Sequence, residues 1–326
     1  MKIENIKPFN GQHCETTATG TLLLQLGIGL SEPMLFGLGE GLGFIYWNMK
    51  TMDFPFIGGR VKPDVLTQNI ARNLNLELTV KETSSPQKAW TAVKELLDNR
   101  HVVGLKMDCF HLEYFSNPFH FAGHYAAVYG YDHQNAFLVD TRQQGVQVQT
   151  SLKSLAMARA EKGPMASKNL YYTLKKSDKE FDLKEAVFTS IRNNSIEYLN
   201  PPITNVAYKG ILKTSTEIIK WFHTSKNIED EFGLSAMMME KAGTGGALFR
   251  NLYRDFLKES YNLFKLEQFQ TGYEAFSEIA EHWTTVAQLF EKVSKTKDFK
   301  YIQEASETLK ILSVQERKAM EILGTI

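Results

Sequence analysis

Gly11-Gln12-His13-Cys14-Glu15-Thr16-Thr17-Ala18-Thr19-Gly20, followed at once by Thr21-Leu22-Leu23-Leu24-Gln25-Leu26-Gly27-Ile28, reads as a polar loop that turns into a helix, with Cys14 at or near the first turn. A helix N-terminus carries unpaired N–H groups and about half a positive charge. That field favours thiolate over thiol, and the same N–H groups suit a developing oxyanion. A thiol nucleophile also needs a base. The candidate is His124, in Ala122-Gly123-His124-Tyr125-Ala126-Ala127-Val128-Tyr129-Gly130-Tyr131-Asp132. The group that would orient it is Asp140, which closes Ala136-Phe137-Leu138-Val139-Asp140.

The bounds set by composition agree with an enzyme of this kind. With 326 residues the chain exceeds one ordinary domain, so two units are expected. Apolar residues make up 43% and charged residues 23%, which suits a soluble globular protein with a real core. Lysine plus arginine and aspartate plus glutamate number 37 each, so formal net charge is zero. A nucleic-acid surface or basic membrane anchor needs a clustered excess of Lys and Arg, which is lacking. The two cysteines, Cys14 and Cys109, make no disulfide framework and suit a reducing cytoplasm. Met1 to Pro8 is polar and carries Glu4, unlike a signal peptide. The run Leu22 to Leu30 is too short, and too broken by glycine, to span a bilayer. The expectation is a cytoplasmic protein with no nucleic-acid or membrane partner.

Beyond the first helix, Gly37-Leu38-Gly39-Glu40-Gly41-Leu42-Gly43-Phe44 is expected to form a tight loop against the helix that carries Cys14. It matches a dinucleotide fingerprint only loosely, since the third glycine would have to be residue 42, a leucine. Phe44 to Trp47 is strand-like, and Gly58-Gly59-Arg60 reads as a turn. Helices are expected over Pro63 to Leu74 and after Ser84-Ser85-Pro86, with strands at Leu76 to Val80 and Val102 to Met107. Residues 108–123 form an irregular, aromatic-rich loop. Two strands follow, His124 to Tyr131 and Ala136 to Val139, joined by Asp132-His133-Gln134-Asn135. His124 therefore begins one strand and Asp140 ends its hairpin partner, which can bring them side by side. From about residue 182 helical periods dominate, with apolar stripes at 211–222, 234–242, 248–264 and 276–290 and a last helix over about 299–323.

Each candidate has a plainer reading. A lone cysteine is most often a buried small hydrophobe, and a lone histidine a satisfied core residue. The order cysteine, then histidine at a strand start, then aspartate is that of papain-like cysteine enzymes, in which His takes the thiol proton and Asp holds its tautomer. Cys109 is an alternative nucleophile, although it follows a strand rather than opening a helix. Cys109 with His111, and His120 with His124, have spacings that suit metal ligands, but Gly123 and Pro118 disrupt the second pair. His13 reads as loop, Gln12 as a weak oxyanion donor, and Glu32, Glu40 and Arg60 as ordinary charges that line a cleft at most. Met237-Met238-Met239 reads as core.

Gly11-Gln12-His13-Cys14 with its helix, the glycine stretch 37–43, Gly123-His124-Tyr125, Tyr129-Gly130-Tyr131 and Lys241-Ala242-Gly243-Thr244-Gly245-Gly246-Ala247-Leu248-Phe249-Arg250 together resemble the butirosin-biosynthesis acyltransferase family, across nearly the whole chain. That family resembles C39-type, papain-like cysteine peptidases in fold and carries a helical C-terminal domain. Its better-understood members transfer an acyl group from a carrier-protein thioester to an amine, and the amide synthase of closthioamide assembly is similar in logic. The resemblance implies an α+β papain-like domain over 1–178 and an α-helical domain over 179–326. It implies Cys14 as nucleophile, His124 as base and acid, and Asp140 as orienting group. It also implies an acyl or peptidyl carrier protein, whose phosphopantetheine carries the substrate, and a small amine acceptor as partners, with no bound cofactor; the disrupted Cys and His spacings lead to the expectation of no metal. The aromatic loop 110–121 and the glycine stretch 37–43 are the expected walls of the cleft. A cysteine peptidase or amidase, and a non-catalytic binding protein of the same fold, are the alternatives.

Overall fold

The structure, a computed structural model, describes residues 1–50, 52–163, 165–240 and 246–326. In chain order its elements are α1 (Cys14–Gln25), α2 (Glu32–Leu38), β1 (Leu42–Trp47), β2 (Phe56–Arg60), α3 (Val65–Asn73), β3 (Leu76–Lys81), α4 (Pro86–Asp98), β4 (Val103–Met107), a 3-10 turn (Cys109–His111), β5 (His124–Tyr131), β6 (Asn135–Val139), β7 (Gln147–Ser151), α5 (Leu152–Ala160) and β8 (Tyr171–Lys176). Six helices complete it: α6 (Leu183–Leu199), α7 (Ala207–Thr224), α8 (Ile228–Glu240), α9 (Ala247–Phe264), α10 (Glu267–Thr296) and α11 (Phe299–Leu323). The protein is thus a mixture of helices and antiparallel sheet.

The chain divides into two compact units. The first comprises Met1–Leu35 and Pro63–Phe181, the second Phe36–Lys62 and Asp182–Ile326. The boundary expected after residue 178 lies close to the later crossing, but it does not anticipate that residues 36–62 group with the helical segment.

The first unit is built on an antiparallel sheet of order β3-β8-β4-β5-β6-β7 among the described residues. One face is sealed by Val93 and Leu97 of α4 and Leu155 and Ala158 of α5 against Leu105, Met107, Ala126 and Val128. Ser85 caps α4 by accepting from the Lys88 N–H, with Pro86 in its first turn, as the sequence predicts. Helix α1 packs on β5 and β4 and is buried from Glu15 through Leu23. Such a helix must satisfy its polar side chains internally. Thr17 Oγ1 donates to the His13 carbonyl at 2.7 Å and Thr21 Oγ1 to the Thr17 carbonyl at 2.8 Å. Glu15 Oε1 accepts from the Thr67 N–H at 3.1 Å and from Thr67 Oγ1 at 3.0 Å. Gly20 is needed there, because a Cβ would stand 2.6 Å from the Phe9 ring.

The second unit holds the β1–β2 ribbon and α6–α11. Two expectations are corrected here. Gly58-Gly59-Arg60 lies in β2, not in a turn, with Gly58 opposite Ile45 of β1. The glycine stretch is not a loop throughout: Gly37 lies in α2 and Gly43 in β1. A Cβ on Gly37 would meet the Phe256 ring at 2.2 Å, so close packing rather than turn geometry explains that glycine. Lys241–Gly245, part of the motif quoted above, lie outside the described residues. Helix α6 carries no apolar stripe that the sequence pattern singles out, although Asp182 caps it from its side chain.

A buried ion pair ties the helical unit together. Arg250 Nε donates to Glu316 Oε1 at 2.9 Å and Arg250 Nη2 to Oε2 at 2.8 Å, with both side chains fully buried. Trp283 Nε1 also donates to Glu316, at 2.6 Å, as does the Tyr198 hydroxyl. Arg250 Nη1 donates to the Gly59 carbonyl at 2.8 Å, which holds the ribbon to α9. Removing one partner strands a buried charge, at a cost of about 3–5 kcal/mol. Glu316→Gln is therefore expected to lower unfolding free energy by about that amount, read from urea denaturation by circular dichroism.

Candidate active site

Cys14, His124 and Asp140 all belong to the first unit. Cys14 is the first residue of α1 and is half-buried. His124 opens β5 and Asp140 follows β6 directly. The hairpin places them in contact: His124 Nε2 lies 2.7 Å from Asp140 Oδ2. His124 is 6% exposed and Asp140 fully buried. Asp140 is held by two further donors, the Thr141 N–H to Oδ1 and the Tyr114 hydroxyl to Oδ2, both at 2.6 Å. The Phe115 ring stands edge-on to the imidazole, with centroids 5.3 Å apart. The aromatic loop thus covers the pair, and the 3-10 turn at its start places Cys109 beside it.

Among the described residues no hydrogen bond joins Cys14 to His124. The thiol that acts directly on the imidazole is that of Cys109, which is 2% exposed. Burial pushes the Cys109 thiol up, while the neighbouring His124 pulls it down and the Cys14 thiol raises it further. Burial alone would lower His124, yet the Asp140 carboxylate and Cys109 outweigh it and hold the imidazole well above its ordinary range. Tyr114 is raised too, by burial first and then by Asp140, so its hydroxyl stays protonated and donating.

The loop before α1 is fixed by Glu32. Its Oε1 accepts from the Gln12 N–H at 2.9 Å, the His13 N–H at 2.8 Å and Thr16 Oγ1 at 2.8 Å. The Gln12 main-chain donor is therefore taken by a carboxylate, and Glu32 is a structural ligand of the loop rather than a plain surface charge. His13 is the buried N-cap of α1, not an open loop residue. In the second unit Glu40 is buried and accepts from Asn193 Nδ2 at 3.0 Å, and Arg60 donates to the Val61 carbonyl.

The histidines considered as metal ligands go to separate partners. His111 binds Glu161, His120 lies 3.4 Å from Asp108, and His124 binds Asp140. Among the described residues no group of three or more His, Cys, Asp or Glu side chains is placed to hold a metal ion. No helix among them is long and apolar enough to cross a membrane. Sequence reasoning does not single out Tyr114 or Phe115, which the aromatic loop signals only collectively, and it reads Glu32 as an ordinary charge because its partners, two main-chain N–H groups and the Thr16 hydroxyl, lie sixteen to twenty residues earlier.

Comparisons with known proteins match two family models. Residues 13–141 match the model described as "Butirosin biosynthesis protein H, N-terminal", and residues 153–323 match a domain of unknown function, DUF4872. The second match begins in α5, inside the first compact unit. Comparison with curated proteins finds no match.

The raised imidazole carries a sign for stability. A base whose folded value exceeds its unfolded value stabilises the fold fully below about pH 6.5, and this contribution is lost as pH rises through the folded value. The unfolding free-energy difference between the parent and His124→Gln is accordingly expected to shrink as pH rises above about 6.5. Tyr114→Phe removes a donor to Asp140, leaving the carboxylate more basic. Its His124 imidazole should titrate higher than the parent's, read from its C–H resonances in NMR, with about 1–3 kcal/mol of stability lost.

Proposed function

Given that the chain belongs to the family that joins a butirosin biosynthesis protein H N-terminal domain to a DUF4872 domain, we propose that it is a biosynthetic, amide-forming acyltransferase of papain-like architecture, working in the assembly of an antibiotic-type natural product. His124 takes the thiol proton of Cys14, and the Cys14 sulfur attacks the carbonyl of a pantetheine thioester presented by a carrier protein. The tetrahedral intermediate collapses, the pantetheine sulfur leaves with a proton from the His124 imidazolium, and the acyl group stays on Cys14 as a new thioester. An amine then attacks that thioester, His124 takes its proton, and the amide departs as the Cys14 sulfur is released.

The observation that carries this reading is the buried His124–Asp140 pair, at 2.7 Å, in the sheet on which α1 packs with Cys14 at its head. Asp140 occupies Nε2 of the imidazole, which leaves Nδ1 as the nitrogen for a thiol. Catalytic hydrogen bonds are often long before substrate binds, so the lack of a direct Cys14–His124 bond is compatible with the role. The Phe115 cover and the complete burial of Asp140 support a dry pair, which favours amine over water as acceptor.

A second reading assigns the acyl group to Cys109, because that thiol and the His124 imidazole influence one another's charge. Its near-complete burial argues against attack on a bulky thioester.

Incubation with an acyl-pantetheine thioester, followed by intact-mass spectrometry, is expected to show one acyl adduct that Cys14→Ala abolishes and Cys109→Ala retains. Amide formation on adding amine should fall by roughly a thousandfold or more in Cys14→Ala. An adduct that moves to Cys109 supports the second reading. Peptide hydrolysis without aminolysis would make the chain a peptidase, and no adduct at all would make it a binding protein.

A further inference from the structure

The six-stranded sheet of the first unit ends in β3, which among the described residues has a partner strand on one side only. Its ladder with β8 runs without a shift from Leu76 opposite Lys176 to Lys81 opposite Tyr171. The direction of its main-chain groups follows from the next ladder. Lys106 of β4 donates its N–H to the Leu170 carbonyl, and Gly104 lies opposite Tyr172, so Leu170 and Tyr172 turn their main-chain groups toward β4. Tyr171 and Thr173 therefore turn theirs toward β3, where Lys81 and Thr79 meet them. Leu78 and Val80 are left with N–H and C=O groups that point away from the sheet, and among the described residues no other group takes them. The opposite edge differs, because Glu113 closes the end of β7 by accepting from the Ser151 N–H at 2.7 Å.

Open edges are ordinarily blunted by proline, by a bulge or by unpaired charge. Strand β3 has neither proline nor bulge, and its two charges are of opposite sign. Glu77, Thr79 and Lys81 share one face and are exposed. Leu78 and Val80 share the other, where Leu78 is half-buried and Val80 is 39% exposed. Antiparallel pairing of this strand with a second copy of itself, two-fold about Thr79, sets Glu77 opposite Lys81 of the second copy and Lys81 opposite its Glu77. It also sets each Val80 opposite a Leu78. This register uses the free main-chain groups, since each Leu78–Val80 pair exchanges both N–H···O bonds. The Glu77–Lys81 pairs then fall at the non-hydrogen-bonded positions, where side chains approach most closely. Centring the pairing on Leu78 or on Val80 instead loses both ion pairs. The occupant that carries the matching charges in the matching order is this strand itself.

We propose that β3 is the contact edge of a homodimer, in which two copies of the chain pair antiparallel about Thr79 and join their sheets. The dimer does not depend on the acyl-transfer reading. A contact made by one strand from each copy is small, so the equilibrium is weak and depends on concentration. Sedimentation equilibrium of the full chain from about 5 µM to about 300 µM is expected to show monomer passing into dimer. Val80→Pro removes an outward N–H and no bond to β8, so the folded variant should dimerise at least about tenfold more weakly. Lys81→Glu and Glu77→Lys each set like charges opposite one another and should each weaken the dimer by about tenfold. An equimolar mixture of those two variants regains both ion pairs and should associate as strongly as the parent. Circular dichroism checks that each variant is folded, and the two exposed charge variants carry the test if Val80→Pro is not. A parent that stays monomeric throughout the range overturns the proposal and leaves the edge to a strand of another protein. Dimerisation untouched in the folded variants overturns it by placing the contact on another surface. A mixture that associates no better than its components overturns the register about Thr79, and the proposal with it.

Discussion

Helix α1 is buried through most of its length, and that burial governs the first unit. A helix that no water reaches must find partners for every polar side chain within the protein. Four of its residues from Thr16 to Thr21 are threonines, and their hydroxyls turn back to carbonyls one turn earlier or reach Thr67 and Tyr172. Glu15 is tied to α3 through Thr67. Glu32 closes the open end by accepting from Gln12, His13 and Thr16. The cysteine at the head of this helix is consequently placed by contacts that span several elements. A change at any of them would move the sulfur relative to the sheet, and displacements of about an ångström are costly for chemistry.

Much of this was legible in the chain, and the particular residues explain which parts. The His124–Asp140 contact follows from two short strands and a polar turn, because period-two strands and a tight connection constrain geometry strongly. The long helices of the second unit announce themselves by apolar period, as with Phe276, Ile279, Trp283, Val286 and Phe290 of α10. Gly58 and Gly59 misled, because glycine signals a turn unless a neighbour needs the space. Here the Phe56 ring and Ile45 crowd Gly58, so the strand keeps its glycine. Residues 36–62 also defeat linear reading. Nothing local in Phe36 or Gly37 reveals that Phe249 and Phe256 of α9, two hundred residues on, will take them up. Long-range packing of this sort has no local pattern.

The two units solve burial of charge by opposite means. In the helical unit Arg250 and Glu316 neutralise one another, and every polar atom of the Glu316 carboxylate has a donor. In the sheet unit Asp140 is fully buried without a permanent cation. Its partners are a tyrosine hydroxyl, a main-chain N–H and an imidazole. Only the imidazole can change charge near neutrality. The first arrangement can do nothing but hold structure. The second takes up or releases a proton at the cost of one buried charge, and this is the property that general acid–base chemistry requires.

The placement of Glu32 bears on where a negative charge can be tolerated near Cys14. The anion site expected at the head of α1 is partly occupied, since the Gln12 and His13 N–H groups already point at a carboxylate. A helix terminus offers only about half a unit of positive charge, so a resident carboxylate offsets much of it. The imidazole of His124 is the other positively inclined group of the site. Asp140 is what keeps that imidazole charged in spite of its burial. Tyr114, by sharing the same carboxylate oxygen, restrains how strongly Asp140 does so. The imidazole is thus held between a carboxylate that favours its charged form and a tyrosine that moderates that hold.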